Sequence, residues 1–317
     1  MTLIDSLKND SFHRPALVEE TASLLLTRRS GRYIDLTCGG GGHLKYISGL
    51  LEREAVLVGI DRDPEAVRVT KERLQTVPQK TMVLNSTFAQ LDEVIKKLGF
   101  NQADGFLLDL GISSHQLDTA ERGFSFTHEG PLDMRMGPDC RMTAEELINS
   151  CSEEELGRIF KEFGEEKRAR RAARAVVESR KKARIETTAR LKEVLSPVLA
   201  GRYLNASLAR LFQAVRIELN QELEQLRGVL PKVLKYLSVG GRAVVISYHS
   251  LEDRLVKQFM VEKSKGCICP KNFPVCTCNR KPEIKILTKK PLRASPEERE
   301  ANIRVRSARL RAMEKVA

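Results

Sequence analysis

What the chain lacks narrows it first. No segment approaches the roughly 20 consecutive apolar residues of a bilayer-crossing helix, although 41% of its 317 residues are hydrophobic. A signal-peptide core is missing too, because Asp5, Lys8 and Asp10 break up the opening residues. Both absences point to a cytosolic setting with no membrane partner. Cysteines number seven, an odd count in a chain this long, which argues against a secreted disulfide framework. No internal repeat is evident, and there is no acidic surplus: the net charge is +12.

That charge is concentrated. Residues 167–184 carry nine basic side chains against Glu178, and residues 265–317 carry fourteen against five acids, so the rest of the chain is slightly acidic. A nearly neutral body with two basic segments suits a polyanion partner. The plainer reading is a solvated helix face followed by a basic C-terminal tail.

At 33–43 the string YIDLTCGGGGH runs from an apolar strand into four glycines and then into a helix-compatible segment. Glycine tolerates positive φ and offers no Cβ, so its backbone can press against a ligand while the free N–H groups of the following helix face it. A dinucleotide fingerprint requires a third glycine where Leu44 or Lys45 stands, which weakens a pyrophosphate reading. Asp35 before the loop, and Asp61 about 20 residues beyond it, suit a ligand with an amine and ribose hydroxyls, as S-adenosylmethionine has. Asp109 ends a further apolar run at 105–110 and is placed at the same carboxyl edge, where an Asp also serves commonly as a helix cap.

Strands at 55–60, 81–84 and 105–110 alternate with helices at 64–75 and 91–98, the first of them opened by Asp63 and Pro64. This pattern predicts a parallel sheet covered on both faces. From 119 to 212 the chain is helix-compatible and charged, which predicts an inserted helical domain between core segments 1–118 and 213–317. One long helix is expected from 206 to 237, then a strand at 241–248 and a last strand at 283–287.

Several strings together resemble the bacterial ribosomal RNA small-subunit methyltransferase H family: GGGGH at 39–43, IDRDP at 60–64, LLDLGISS at 107–114, QLD at 116–118, ERGFSF at 121–126, GPLDMRM at 130–136, ISYHSLEDR at 246–254 and RVRSARL at 304–310. The resemblance covers nearly the whole chain. It implies an α/β, Rossmann-like S-adenosylmethionine-dependent methyltransferase sheet with an inserted all-helical domain. The implied activity is methylation of the N4 amine of a decoding-region cytidine in 16S rRNA of the small ribosomal subunit, and a homodimer is compatible with it. Gly41, Gly42, His43, Asp61, Phe88, Asp109 and Gln116 are implied to bind the cofactor. Read from the residues, Asp109 also serves the methyl-transfer step, and His249, following the strand at 244–248, is expected at the same edge, either touching the target nucleotide or bonding a backbone carbonyl. Taken singly, Phe88 reads as core and His43 as a helix-start residue, and the resemblance reverses both. Leu36, Cys38 and His115 depart from the residues commoner in the family.

Cys267, Cys269, Cys276 and Cys278 offer four thiols within twelve residues. The C-x-C spacing argues against a metal, because an extended chain points such sulfurs to opposite faces. Two other function classes remain open at this stage, a nicotinamide-linked oxidoreductase and a non-catalytic RNA-binding assembly factor.

Overall fold

The computed structural model describes residues 15–199, 201–267, 269, 278 and 280–317, which fall into two compact units. The chain enters the first through α1 (Val18–Leu25), β1 (Arg32–Asp35), α2 (Gly42–Ser48), β2 (Val56–Asp61), α3 (Pro64–Leu74), β3 (Lys80–Asn85), α4 (Leu91–Leu98) and β4 (Ala103–Asp109). The second unit, Ile112–Glu222, holds α5 (Ser114–Asp118), α6 (Ala144–Ser150), α7 (Glu153–Glu162), α8 (Ala169–Arg180), α9 (Thr188–Leu199) and α10 (Leu204–Asn220). The first unit then resumes with α11 (Glu222–Tyr236), β5 (Leu237–Ser247), α12 (Ser250–Ser264), β6 (Ile284–Ile286), α13 (Pro296–Ala301) and β7 (Arg309–Lys315). The division thus falls at Ile112 and Glu222, outside the borders read at 119 and 212.

The seven strands of the first unit form one sheet in the order β3-β2-β1-β4-β5-β7-β6. Neighbours from β3 to β5 pair in parallel, and β7 is antiparallel to both β5 and β6. Apolar runs such as VLVGID and the FLLD end of β4 supply this sheet because a parallel strand is buried on both faces and has little use for alternation. The winding reverses between β1 and β4, and that reversal opens a crevice beyond the strands' carboxyl ends. β1, β2 and β4 each end there in an aspartate: Asp35, Asp61 and Asp109.

Two expectations are corrected. The helix expected over 206–237 is two helices, because Gln221 takes a left-handed conformation (φ 52°) that ends α10. The basic C-terminal tail is instead partly a strand inside the sheet, β7. There Leu310, Arg311, Ala312 and Met313 are buried, and the Arg311 guanidinium grips Asp253 at 2.6 and 3.3 Å. The strings at 246–254 and 304–310 therefore lie next to a shared ion pair, with Arg309 also 3.4 Å from Asp253.

In the helical unit, α8 shows why its charges point outward. Ala169, Ala172, Ala173 and Val176 recur at i, i+3, i+4 and i+7 and are buried against the unit's core with Ile159, Phe160 and Leu195. The intervening Arg170, Arg171 and Arg174 are consequently exposed.

Candidate active site

The glycine loop is built by the strands beside it. Leu36 N–H donates to Leu107 C=O and Cys38 N–H to Ile60 C=O, both at 2.9 Å, so the chain leaving β1 is anchored to both neighbouring strands. A tight turn follows, closed by Gly41 N–H to Cys38 C=O at 2.7 Å, while the Thr70 hydroxyl of α3 donates to Gly39 C=O at 2.7 Å. Gly41 has φ 76°, and a Cβ there would sit 3.1 Å from Thr70, so glycine is required by conformation and by space. Gly42 then opens α2, followed by His43.

Asp61 holds this loop from the next strand. Its Oδ2 accepts Gly39 N–H at 2.8 Å and its Oδ1 accepts Asp63 N–H at 2.9 Å. Each oxygen keeps a second lone pair for another donor. Burial raises the Asp61 pKa to about 6 despite these two bonds. Asp63 in turn caps α3 by accepting Glu65 N–H at 3.1 Å, with Pro64 at the first helical position as its sequence suggests. Phe88 lies just past β3 in a short 3₁₀ turn, half-buried against the core.

Asp35 is almost wholly enclosed, at 1% exposure. Its Oδ1 accepts Thr37 N–H at 3.1 Å, and its Oδ2 has no hydrogen-bond partner among the described residues. Burial pushes its pKa up to about 7. His43 and the Thr37 amide pull it down, and the charges of Asp109 and Asp61 add to the rise.

Asp109 is gripped on several sides. Its backbone N–H donates to Thr37 Oγ1 at 2.6 Å, Tyr248 O–H donates to its Oδ1 at 2.9 Å, and His43 Nε2 lies 3.4 Å from its Oδ2. The last distance is within ion-pair range without hydrogen-bond alignment, and His43 is buried with neither ring nitrogen aligned to a partner among the described residues. Burial, and next the Asp109 charge, raise the Tyr248 pKa well above its usual value, so the phenol stays a neutral donor.

Of the residues singled out from sequence, Gly41, Gly42, His43, Asp61, Phe88 and Asp109 gather at this one edge of the first unit. Two others make local capping bonds. His249 caps α12: its Nδ1 accepts Glu252 N–H at 3.4 Å, and its Nε2 lies 3.1 Å from Glu252 Oε1. Gln116 belongs to the helical unit, where it forms a capping box with Ser113 through two 3.1 Å bonds and is buried. Thr37 and Tyr248 are not among the residues read from sequence. Pairing register was the available signal for Tyr248: Asp109 pairs with Ile246, and the residue two further along falls on the same side of the sheet.

The arrangement fits a ligand with one cationic end and one hydroxyl-bearing end. An unpartnered carboxylate oxygen buried beside a glycine cradle suits an ammonium group, and Asp61 has lone pairs left for hydroxyls. In the second unit, Lys167, Arg170, Arg171 and Lys182 are exposed and make no ion pair among the described residues, whereas Arg174 pairs with Glu153, Lys181 with Glu178 and Arg184 with Glu145. In the C-terminal segment Arg309 and Arg311 pair with Asp253, at 3.4 and 2.6 Å, and Arg280 lies 4.0 Å from both Glu262 and Glu283. No helix among the described residues is long and apolar enough to cross a membrane.

The model of the MraW methylase family matches residues 10–316. The ribosomal RNA small subunit methyltransferase H of Trichlorobacter lovleyi is 45% identical over 307 residues, 96% of this chain and 98% of that protein. The protein of the same name from Caldicellulosiruptor bescii is 45% identical over 305 residues, 96% of this chain and 99% of its own. Among solved structures, an rRNA methylase from Streptococcus thermophilus aligns over 95% of this chain and 94% of its own, at 10% identity and a TM-score of 0.41.

Proposed function

The chain belongs to the MraW methylase family, and from that premise we propose that it transfers a methyl group from S-adenosylmethionine to the N4 amine of a cytidine in the decoding region of 16S rRNA. The observation that carries this reading is the Asp109 carboxylate, at the carboxyl end of β4 beside the glycine loop, which accepts the Tyr248 hydroxyl while Thr37 accepts the backbone N–H of the same residue. S-adenosylmethionine, when bound, supplies a methyl group activated by a sulfonium charge.

Gly41, Gly42, His43 and Phe88 line the cradle, Asp61 takes the ribose hydroxyls, and the buried Asp35 takes the ammonium. The remaining chemistry belongs to Asp109. Cytosine N4 is a poor nucleophile because its lone pair is delocalised into the ring. A carboxylate accepting one N4–H aims that lone pair and stabilises the positive charge growing on nitrogen as the N–C bond forms. Once the bond exists, the amine is acidic enough to shed a proton to Asp109 or to water. Tyr248 holds the carboxylate and Thr37 holds the Asp109 backbone before substrate arrives, so little reorganisation is needed during the reaction. The exposed cations around α8 supply phosphate contacts, which orient an RNA strand without reading its bases.

The rival classes differ in what they need from the site. A nicotinamide enzyme has no use for an orphaned buried carboxylate oxygen at the loop, and a non-catalytic assembly factor has no use for an Asp109 held by two separate donors or acceptors. Mass spectrometry of rRNA nucleosides from cells with and without the protein is the direct test. The modified N4-methylcytidine is expected to disappear with the protein, and an unchanged level refutes the assignment.

A further inference from the structure

Three cysteines meet between α12 and β6. The sulfurs of Cys267, Cys269 and Cys278 all lie within 4.8 Å of one another, and those of Cys267 and Cys278 are 3.8 Å apart. A disulfide brings its sulfurs to about 2.05 Å, so no disulfide joins Cys267 and Cys278. A zinc ion with Zn–S bonds of about 2.3 Å at the centre of a tetrahedron places its sulfurs about 3.8 Å apart, which is the Cys267–Cys278 separation.

We propose that Cys267, Cys269 and Cys278 bind one zinc(II) ion through their thiolates. The objection that C-x-C sulfurs diverge applies to extended chain, and here the backbone bends at Gly266, Cys269 and Cys278. The bend turns the Cys269 N–H toward the Cys267 sulfur at 3.4 Å, a donor that stabilises a thiolate. Around the cluster the loop's two stems are already pinned. Glu283 N–H donates to Lys263 C=O at 2.9 Å, the same two residues form an ion pair at 2.9 Å, and Arg280 donates to Glu262 C=O at 3.1 Å. Three thiolates and one zinc carry a net charge of about −1, and Lys265, Arg280 and Lys281 stand within three residues of these cysteines in the sequence. Soft sulfur donors select zinc over the hard cations magnesium and calcium. The fourth ligand position is open to solvent; Cys276 lies outside the described residues. The ion ties the segment after α12 to the one before β6 and takes no part in methyl transfer, so failure of either reading leaves the other standing.

The test uses the untagged full-length chain, purified under reducing conditions without chelator, incubated with zinc sulfate and then dialysed. Plasma mass spectrometry is expected to find about one zinc per chain, with three or more of the seven thiols protected from a disulfide reagent until the metal is stripped. Cys267→Ser and Cys278→Ser should each lower retained zinc at least about tenfold, and Cys151→Ser should retain it. Cobalt(II) in place of zinc should show the visible bands of tetrahedral thiolate coordination. A wild-type chain that keeps no zinc with all thiols reactive, a Cys267–Cys278 disulfide in the reduced preparation, or serine variants that bind zinc as well as wild type would each overturn the proposal.

Discussion

Replacing Asp35 by Asn turns the most enclosed group of the site into a measurable pH effect. In the folded chain its pKa stands at about 7 against 3.8 for the free side chain. A raised carboxyl pKa means that the folded state holds the proton more tightly than the unfolded state. The penalty is therefore absent below about pH 3.8, grows as pH rises, and is complete above about pH 7. At about 1.4 kcal/mol per pH unit, that interval amounts to about 4 kcal/mol. Asn cannot ionise, and its carbonyl oxygen can still accept the Thr37 N–H, but its NH₂ enters the place where Oδ2 has no partner, at a cost of about 1–3 kcal/mol at every pH. Without cofactor, Asp35→Asn should melt at or below the wild-type temperature at pH 5 and above it at pH 8. Melting curves for both proteins at four pH values between 5 and 8 suffice. Parallel curves would refute the burial argument. With S-adenosylmethionine present the order at pH 8 should reverse, because the wild-type carboxylate then gains an ammonium partner and the amide does not.

Three further outcomes are expected. Asp109→Asn should lower single-turnover methylation at saturating cofactor by about 10²-fold, the scale of losing one transition-state electrostatic contact, with a smaller loss of cofactor affinity; a near wild-type rate would reduce Asp109 to a binding role. Asp61→Ala removes the acceptor for Gly39 and Asp63 N–H, so calorimetry should show at least about tenfold weaker cofactor binding together with a lower melting temperature, and unchanged affinity would confine Asp61 to holding the loop. Arg170→Glu with Arg171→Glu should flatten the salt dependence of RNA binding by about 0.7–0.9 in log–log slope per phosphate contact removed, and an identical slope would return α8 to a solvated face.

The glycine loop, the acids that close β1, β2 and β4, and the Asp63 cap were legible in the sequence because each follows from local chemistry: positive φ, strand ends and helix capping. What escaped was set by partners distant in sequence. β7 reads as a basic tail because RLRAMEK mixes charges with apolar residues, and only Asp253, 58 positions before Arg311, makes a buried arginine tolerable there. Tyr248 was hidden because its role depends on which strand lies beside β5. The capping bonds of His249 and Gln116 at helix starts were not read from the sequence either, where both stand out through the family strings. The objection to a metal at Cys267 and Cys269 assumes extended backbone, whereas the chain bends at Gly266 and Cys269.

The place of β7 also bears on how the chain acquires its structure. The helical unit is contiguous from Ile112 to Glu222, so all of its contacts are available once that stretch has been synthesised. The sheet has no such independence. β5 is paired with β4 on one side, but its other edge keeps unpaired N–H and C=O groups until Arg309–Lys315 slot in antiparallel, more than 60 residues after β5 ends at Ser247. At about 5–20 residues per second, a ribosome leaves that apolar edge open for several seconds, in the interval when strand edges pair with the wrong chain. Asp253, already placed on α12, is then a waiting countercharge that draws Arg311 into register as the last strand arrives.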